Sequence, residues 1–343
     1  MQPEFPTENL ENNMLAARSE LKSRFDLFSE TLPMEVELFE MWEDKENVVI
    51  SIACATFNHG ALLEDAIKSF LFQKTSFRFE IVIRDDASTD GTRDLIAYYM
   101  HHYPRIIRAQ IYDDNQFKLG RRPADDWFEL TIGKYIALCE GDDFWIDRDK
   151  LQDQVSQLER CPECVISVAG TLWYNRSKDT LLERGILSEE RVYSEMPPQY
   201  HHTSTLVIKR KYFGAATERR RKYKIYGDTA LRWLLTDYGK CICLPRLVSV
   251  YWIDNTGIWT SLSADKKAKD HLYIFWGLIR AVKVRKKLRI LPSFLGACTK
   301  YFPISLRNKE WNLAVACLIP FFLTKTRNLS LRVLRRFSSP RES

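Results

Sequence analysis

The chain lacks a hydrophobic run long enough to cross a bilayer. Its most apolar stretch near the C-terminus, Trp311 to Leu323, has about 13 residues and is broken by Pro320, against the roughly 20 that a helical span needs. It also lacks a positively charged start followed by an apolar core, so no secretory signal is expected and the protein is expected in the cytoplasm. A nucleic-acid reader motif is missing too. Basic residues are not interleaved with aromatics, and the one basic run, Arg219-Arg220-Arg221-Lys222, is expected on a solvated helix or loop face, so no nucleic-acid partner is expected. No Gly-rich loop bearing Lys or Arg follows the first apolar run, where Thr56 to Gly60 stands instead, which argues against nucleotidyl transfer. Metal-binding cysteine spacing is poor as well. Cys161-Pro162-Glu163-Cys164 and Cys241-Ile242-Cys243 lie far apart, and the second is unusually tight. Cys54, Cys139, Cys241 and Cys243 sit in apolar contexts, so buried reduced thiols are expected rather than zinc.

What the chain does hold is ample material for a core. With 343 residues, 45% apolar and 13% aromatic, it has room for one large or two modest domains. The net charge of +6 hides an asymmetry: residues 1–47 carry 12 Asp/Glu against 4 Lys/Arg, which leaves +14 on residues 48–343. Anionic partners are therefore expected for the main body.

Residues 1–47 contain a helix-like stretch, Leu15 to Phe28, and an acidic run, and are expected as an extension that packs on or precedes a domain. At Val48 the pattern changes. Val48 to Ala55 reads as a buried strand that stops at Thr56-Phe57-Asn58-His59-Gly60, and Ala61 to Gln73 as a helix with Leu62, Ala66, Ile67, Phe70 and Leu71 at helical spacing. Phe79 to Arg84 is a second strand. Its loop, Asp85-Asp86-Ala87-Ser88-Thr89-Asp90-Gly91, leads into a helix from Thr92 to about Tyr103, with Asp90 or Thr92 as cap. Ile107 to Tyr112 is a third strand, Pro123 to Ile132 a short helix, and Tyr135 to Cys139 a strand that ends in Glu140-Gly141-Asp142-Asp143. Alternating strands and helices with short turns predict an α/β fold, a mainly parallel central sheet with helices on both faces. In such sheets ligands bind at the carboxyl ends of the strands, and three successive strand ends here are polar.

The knot Glu140 to Asp143 is a costly place for charge. Clustered carboxylates raise one another's pKa unless a cation or strong donors compensate, and oxygen ligands select a hard cation such as Mg²⁺ or Mn²⁺. An acidic turn capping the next helix is the alternative, and the motif alone leaves both open. Downstream, Asp147 to Arg160 reads as a helix, Cys164 to Ala169 as a strand and Leu181 to Pro198 as irregular. His202-Thr203-Ser204-Thr205 leads into the strand Leu206 to Ile208, where the second half of the site is expected to begin. Gly227-Asp228 opens a helix, Thr229 to Tyr238, so Asp228 is either an ordinary cap or a cleft residue. Cys241 to Tyr251 is a strand and Trp252 to Ser261 a polar loop. Ala264 to Leu291 forms basic helices, and the apolar tail is flanked by Lys309, Lys325, Arg327, Arg332, Arg335 and Arg336. That tail is either an interfacial anchor drawn to anionic lipid or a last core helix.

These blocks in this order resemble a family 2 glycosyltransferase of the GT-A fold, an inverting transferase that uses a nucleotide-diphosphate sugar. Ser51 to Asn58 is similar to the family's opening strand and Thr-Tyr-Asn turn, with Phe57 for Tyr. Asp85 to Thr92 is similar to its Asp-Asp-Gly-Ser-Thr-Asp loop, with Ala87 for Gly. Gly133 to Trp145 resembles its acidic motif, down to Lys150-Leu151-Gln152, and Gly227-Asp228 corresponds in place to its catalytic base. The resemblance implies a transferase domain at 48–262, which leaves an acidic extension at 1–47 and a basic helical C-terminal region at 263–343, expected either as a peripheral membrane anchor on the inner face or as helices packed on the core. It implies Asp228 as the base and Thr56, Phe57, Asn58, Asp85, Asp86, Glu140, Gly141 and Asp142 as nucleotide-sugar contacts. Mn²⁺ or Mg²⁺ would be held by Asp142 first, with Asp143 and Asp254. The donor would be a nucleotide-diphosphate sugar, a UDP-sugar foremost, and the acceptor a glycan or lipid-linked hydroxyl in surface polysaccharide synthesis. Two departures matter. Trp252-Ile253-Asp254 stands where many members have Arg-x-His, and the Gln-x-x-Arg-Trp element of processive synthases is absent, so single-sugar addition is expected.

Overall fold

The computed structural model describes residues 31–60, 62–175, 180–197, 199–253 and 262–310, together with Leu313, Ala314 and Cys317. Two compact units make up the chain: Met1–Glu218 with Tyr238–Asp254, and Arg219–Asp237 with Asn255–Ser343. Asp228 and its helix are thus grouped with the C-terminal helices.

In the first unit α1 (Glu35–Met41) leads into β1 (Ile50–Thr56), α2 (Leu63–Leu71), β2 (Phe79–Asp85), α3 (Thr92–His102) and β3 (Ile107–Ile111). A 3-10 turn at Pro123–Asp125 and the short α4 (Trp127–Leu130) precede β4 (Tyr135–Glu140) and β5 (Phe144–Trp145). Next come α5 (Lys150–Arg160), β6 (Cys164–Asn175), β7 (Thr180–Arg184), β8 (Arg191–Tyr193), a 3-10 turn at Thr203–Thr205, β9 (Val207–Lys209), α6 (Arg210–Lys222), whose residues from Arg219 on are grouped with the second unit, and β10 (Lys240–Ile253).

The sheet runs in the order β3-β2-β1-β4-β9-β6-β10-β5, with β7 on β6 and β8 on β10. β1, β2, β3 and β4 are parallel, and the burial of β1, β2 and β4 along nearly their whole length explains their unbroken apolar sequences. β9 is antiparallel to both β4 and β6, while β10 is parallel to β6. Two reversals cancel, so β6 and β10 deliver their carboxyl ends to the same rim as β1 to β4. The extension before β1 is part of the core: Leu38, Phe39 and Trp42 are buried, and the Trp42 indole donates to Thr75 Oγ1 at 3.1 Å.

Some expectations fail locally. Leu181 to Pro198 is not wholly irregular, because β7 and β8 pair with β6 and β10. Their residues are mostly exposed, so no apolar alternation marked them. Cys161 and Cys164 are not reduced thiols but a disulfide closing the turn after α5, whereas Cys54, Cys139, Cys241 and Cys243 are buried and outside any disulfide. The basic run 219–222 is not simply a solvated face. It forms the last turn of α6, where Arg220 is buried and Arg219 pairs with buried Asp237 at 3.0 Å.

The second unit holds α7 (Asp228–Leu235), α8 (Ala264–Ala281) and α9 (Val284–Arg307). Ser263 caps α8 by accepting from the Lys266 N–H at 3.2 Å, and Leu272, Cys298, Tyr301 and Cys317 form a small core. Among the described residues no helix is long and apolar enough to cross a membrane. The stretch Trp311 to Leu323 lies outside the described residues apart from Leu313, Ala314 and Cys317.

Candidate functional site at the strand-end rim

Register fixes the geometry of the rim. Thr56 stands opposite Asp85 across β1 and β2, and Ala55 opposite Glu140 across β1 and β4. All three polar strand ends therefore meet. Beyond them the chain turns through left-handed backbone at Asn58 (φ 54°) and Ala87 (φ 66°). Asn58 joins the first two loops: its N–H donates to Ser88 Oγ at 2.8 Å, and its Oδ1 accepts from the Thr89 N–H at 2.8 Å. The cap position of α3 belongs to Gly91 rather than to Asp90 or Thr92, while Asp90 accepts from the Thr92 N–H at 3.0 Å and from the Gly60 N–H at 3.0 Å.

Asp85 and Asp86 are both buried and both occupied. Asp85 accepts from the Ser88 N–H at 3.1 Å, from Ser88 Oγ and from Arg93 Nε at 3.3 Å. Asp86 accepts from the N–H groups of Gln116 at 2.8 Å and Phe117 at 3.1 Å, which draws the loop after β3 onto the rim. Arg84, 1% exposed, lies beneath, bonded to Asp126 Oδ2 at 2.7 Å and to Asp86 Oδ1 at 3.4 Å. Arg121 closes the network on Asp126 Oδ1 at 2.6 Å, and the Tyr112 hydroxyl donates to Asp126 at 3.2 Å. These two carboxylates shape the loops that face the rim. Phe57 is exposed beside them.

The acidic knot is anchored to β1 by the Gly141 N–H, which donates to the Ala55 carbonyl at 2.8 Å. A Cβ at Gly141 would lie 3.0 Å from Thr56 Oγ1 and 3.1 Å from His59 Nδ1, so a larger residue here would have to push those side chains aside. Glu140, Asp143 and His202 each present a ligand atom, all within 4.8 Å of one another. Asp143 is 1% exposed, and its Oδ2 lies 3.3 Å from His202 Nδ1. His202 Nδ1 is also 2.9 Å from Ser204 Oγ, and its ring stacks on Tyr251 with centroids 4.1 Å apart. Asp142 turns elsewhere, 4.0 Å from His59 Nε2. Burial, reinforced by the carboxylates of the knot, pushes the Cys54 and Cys139 thiols well up, so both stay neutral below the site.

The rim thus brings together Thr56, Phe57, Asn58, Asp85, Asp86, Glu140, Gly141, Asp142 and Asp143. Asp228 lies in the second unit as the first residue of α7, exposed, and the cap position belongs to Gly227 with φ 86°. Asp254 lies outside the described residues. The residue that the sequence reading passed over is His202. Its segment was singled out as part of the site, but nothing in a lone His before a short strand marks it as a ligand. Two carboxylates and an imidazole converging on one point fit a divalent cation, and the nitrogen donor suits Mn²⁺ better than Mg²⁺.

Residues 51–213 match the family model described as Glycosyl transferase family 2. An uncharacterized protein of Mycobacterium tuberculosis is 28% identical over 237 residues, 64% of this chain and 62% of that protein. The chain thus spans about three fifths of the length of the curated relatives that it matches over the longest stretch. Over 111 residues it is 31% identical to the UDP-Glc:alpha-D-GlcNAc-diphosphoundecaprenol beta-1,3-glucosyltransferase of Escherichia coli, covering 32% of this chain and 41% of that one. Among solved structures, Staphylococcus aureus TarS 1–349 in complex with UDP-GlcNAc superposes with a TM-score of 0.54 at 14% identity, covering 80% of each chain. The mannosyltransferase of Pyrobaculum calidifontis in complex with GDP-Man and Mn²⁺ superposes at 0.50 and 14% identity, covering 94% of this chain and 89% of that one.

Proposed function

Residues 51–213 belong to glycosyl transferase family 2 and carry the GT-A fold, and from that premise we propose that the protein moves a single sugar, with inversion, from a nucleotide-diphosphate sugar to a glycan or lipid-linked hydroxyl. The observation that carries the reading is the rim itself: the register of β1, β2 and β4 sets Thr56, Asp85 and Glu140 side by side, next to a cation-ready cluster. On this reading the loops at Thr56 to Asn58 and at Asp85 and Asp86 hold the nucleoside, with a UDP-sugar as the first donor to try. Glu140, Asp143 and His202 form the fixed side of a Mn²⁺ or Mg²⁺ site, and Asp142, whose side chain is 37% exposed, closes it. The cation supplies neutralisation of the charge that gathers on the departing diphosphate. His202 here takes the place of the imidazole that Trp252-Ile253-Asp254 lacks.

For the proton acceptor we assign Asp228, an exposed carboxylate that its own helix does not use as cap. The acceptor class follows the lipid-linked acceptor named for the E. coli relative, and the basic helices suit an anionic membrane surface. α8 carries Lys266, Lys267 and Lys269 together with Tyr273 and Trp276, which are 52% and 41% exposed. Calorimetry with UDP and GDP, with and without Mn²⁺, tests the site. Wild type should bind a nucleotide only with the metal, and Asp143→Asn and His202→Ala should lose that dependence. Asp228→Asn should keep nucleotide-sugar binding and lose transfer. Equal affinity with and without Mn²⁺ would defeat the metal assignment, and loss of binding in Asp228→Asn would make that residue structural. Full-length protein should sediment with phosphatidylglycerol vesicles and not with phosphatidylcholine ones.

A further inference from the structure

The rim is occupied unevenly. Nucleoside-type loops lie over β2 and β1 and the acidic knot over β4, while the carboxyl ends of β6 and β10, on the far side of β9, carry a wall of aromatic rings. Trp173 and Tyr251 are register partners on these two strands, so their side chains leave the same face of the sheet, with ring centroids 5.6 Å apart. Tyr200 meets Trp173 edge-on at 5.3 Å and is 44% exposed. At the inner end Tyr251 stacks on His202, itself 3.3 Å from Asp143. A continuous run of rings therefore leads from solvent to the cation cluster.

We propose that Tyr200, Trp173 and Tyr251 form the acceptor subsite, a wall that stacks against a pyranose ring of the glycan receiving the sugar. This rests on the transferase reading. A transferred sugar needs its acceptor hydroxyl next to the donor's diphosphate end. With the nucleoside loops on the β1–β2 side of the cluster, the β6–β10 side is the one left for the second reactant. The surface there has the right chemistry. A pyranose offers one face of axial C–H groups, which packs on the electron-rich face of an aromatic ring, and a rim of equatorial hydroxyls. Tyrosine and tryptophan provide rigid ring area with few rotors to freeze on binding. Arg184, whose guanidinium lies 5.6 Å from the Trp173 ring, adds hydrogen-bond donors at the wall's outer edge.

The test uses the protein with UDP and diamagnetic Mg²⁺, and as probes the methyl pyranosides of glucose, galactose, mannose and N-acetylglucosamine, read by saturation-transfer NMR. At least one pyranoside should receive saturation at its ring C–H protons in wild type. Tyr200→Ala should weaken its Kd about three- to tenfold, the worth of one aromatic contact, and Tyr200→Phe should restore it because stacking needs the ring and not the hydroxyl. Circular dichroism confirms that the variants are folded, as expected for a side chain 44% exposed. The wall is refuted if no pyranoside is saturated, if Tyr200→Ala binds as tightly as wild type, or if Tyr200→Phe is as weak as Tyr200→Ala. The melting temperature of wild type with UDP or GDP and Mn²⁺ judges the transferase reading separately. A protein stabilised by nucleotide but indifferent to Tyr200→Ala loses only the wall, and one that no nucleotide stabilises loses the transferase reading.

Discussion

Replacing Lys150 by methionine should make this protein more stable, with a pH signature that identifies why. Lys150 is the first residue of α5 and fully buried, and its ammonium makes no hydrogen bond. The Trp145 ring face lies 4.2 Å away and favours the charged form, as does the Asp147 carboxylate. A desolvated cation–π contact contributes about 2 kcal/mol, well below the several kcal/mol that desolvation costs. Burial wins and pulls the lysine down from 10.5 to about 7. The difference, at 1.36 kcal/mol per pH unit, is on the order of 5 kcal/mol of stability withheld at neutral pH. The sign is set by proton uptake: between pH 7 and 10.5 the unfolded chain binds the proton that the folded chain has lost. Wild-type stability attributable to this site therefore rises with pH across that window, and is flat below it. Lys150→Met keeps the volume and the packing on Trp145 while removing the charge, so it should gain about 1–4 kcal/mol at pH 7. Its advantage should shrink by about 1.4 kcal/mol per pH unit up to pH 10. Urea titrations at pH 7, 8.5 and 10, followed by tryptophan fluorescence, measure both quantities. A variant less stable than wild type at pH 7, or an advantage that does not change with pH, would refute the reasoning.

Other substitutions probe the rim by different means. Asp126→Ala removes the closer of the two carboxylates that hold buried Arg84, leaving Asp86 at 3.4 Å, and should cost about 3 kcal/mol in denaturant titrations, with weaker nucleotide binding because Arg84 also steadies Asp86. Gly133→Ala would drive a Cβ to 2.7 Å from the Ser51 nitrogen and 2.8 Å from the Ile50 carbonyl carbon. Backbone cannot yield as a side chain tip can, so a loss of about 3 kcal/mol or more is expected, read as a lowered melting temperature. Ala87→Gly relieves a left-handed residue at φ 66° and should gain about 0.5–1 kcal/mol by the same measurement.

The half of the fold that is parallel was legible because its physics is local. β1, β2 and β4 are buried on both faces, and an unbroken apolar run followed by a polar turn is what such a strand must look like. Their register then set Thr56, Asp85 and Glu140 on one rim. The roles of Asp85 and Asp86 were less legible: the sequence displays two acids at a strand end, but not that Ser88, Arg93, Gln116 and Phe117 already occupy them. β7 escaped notice because four of its five residues need no core partner. The Cys161–Cys164 disulfide escaped because only the turn after α5 brings the two residues together, a contact that spacing alone does not distinguish from two thiols.

His202 and Tyr200 were missed for a single topological reason. The rule that sites lie at carboxyl ends of strands holds for parallel strands, where the chain arrives at the rim as each strand finishes. β9 runs the other way, with Ala137 opposite Val207 and Tyr135 opposite Lys209. An antiparallel strand inserted between parallel ones delivers its entry to the rim, so the residues just before it, 200 to 206, stand beside the acidic end of β4. The Trp145 indole, which donates to the Ser204 carbonyl at 2.8 Å, ties that entry to the strand that follows the acidic knot. Ser204 in turn lies within 2.9 Å of the His202 ring. A histidine some sixty residues after Glu140 thereby becomes its neighbour, and asking which strand of a mostly parallel sheet is reversed would have turned a segment expected near the site into a named ligand.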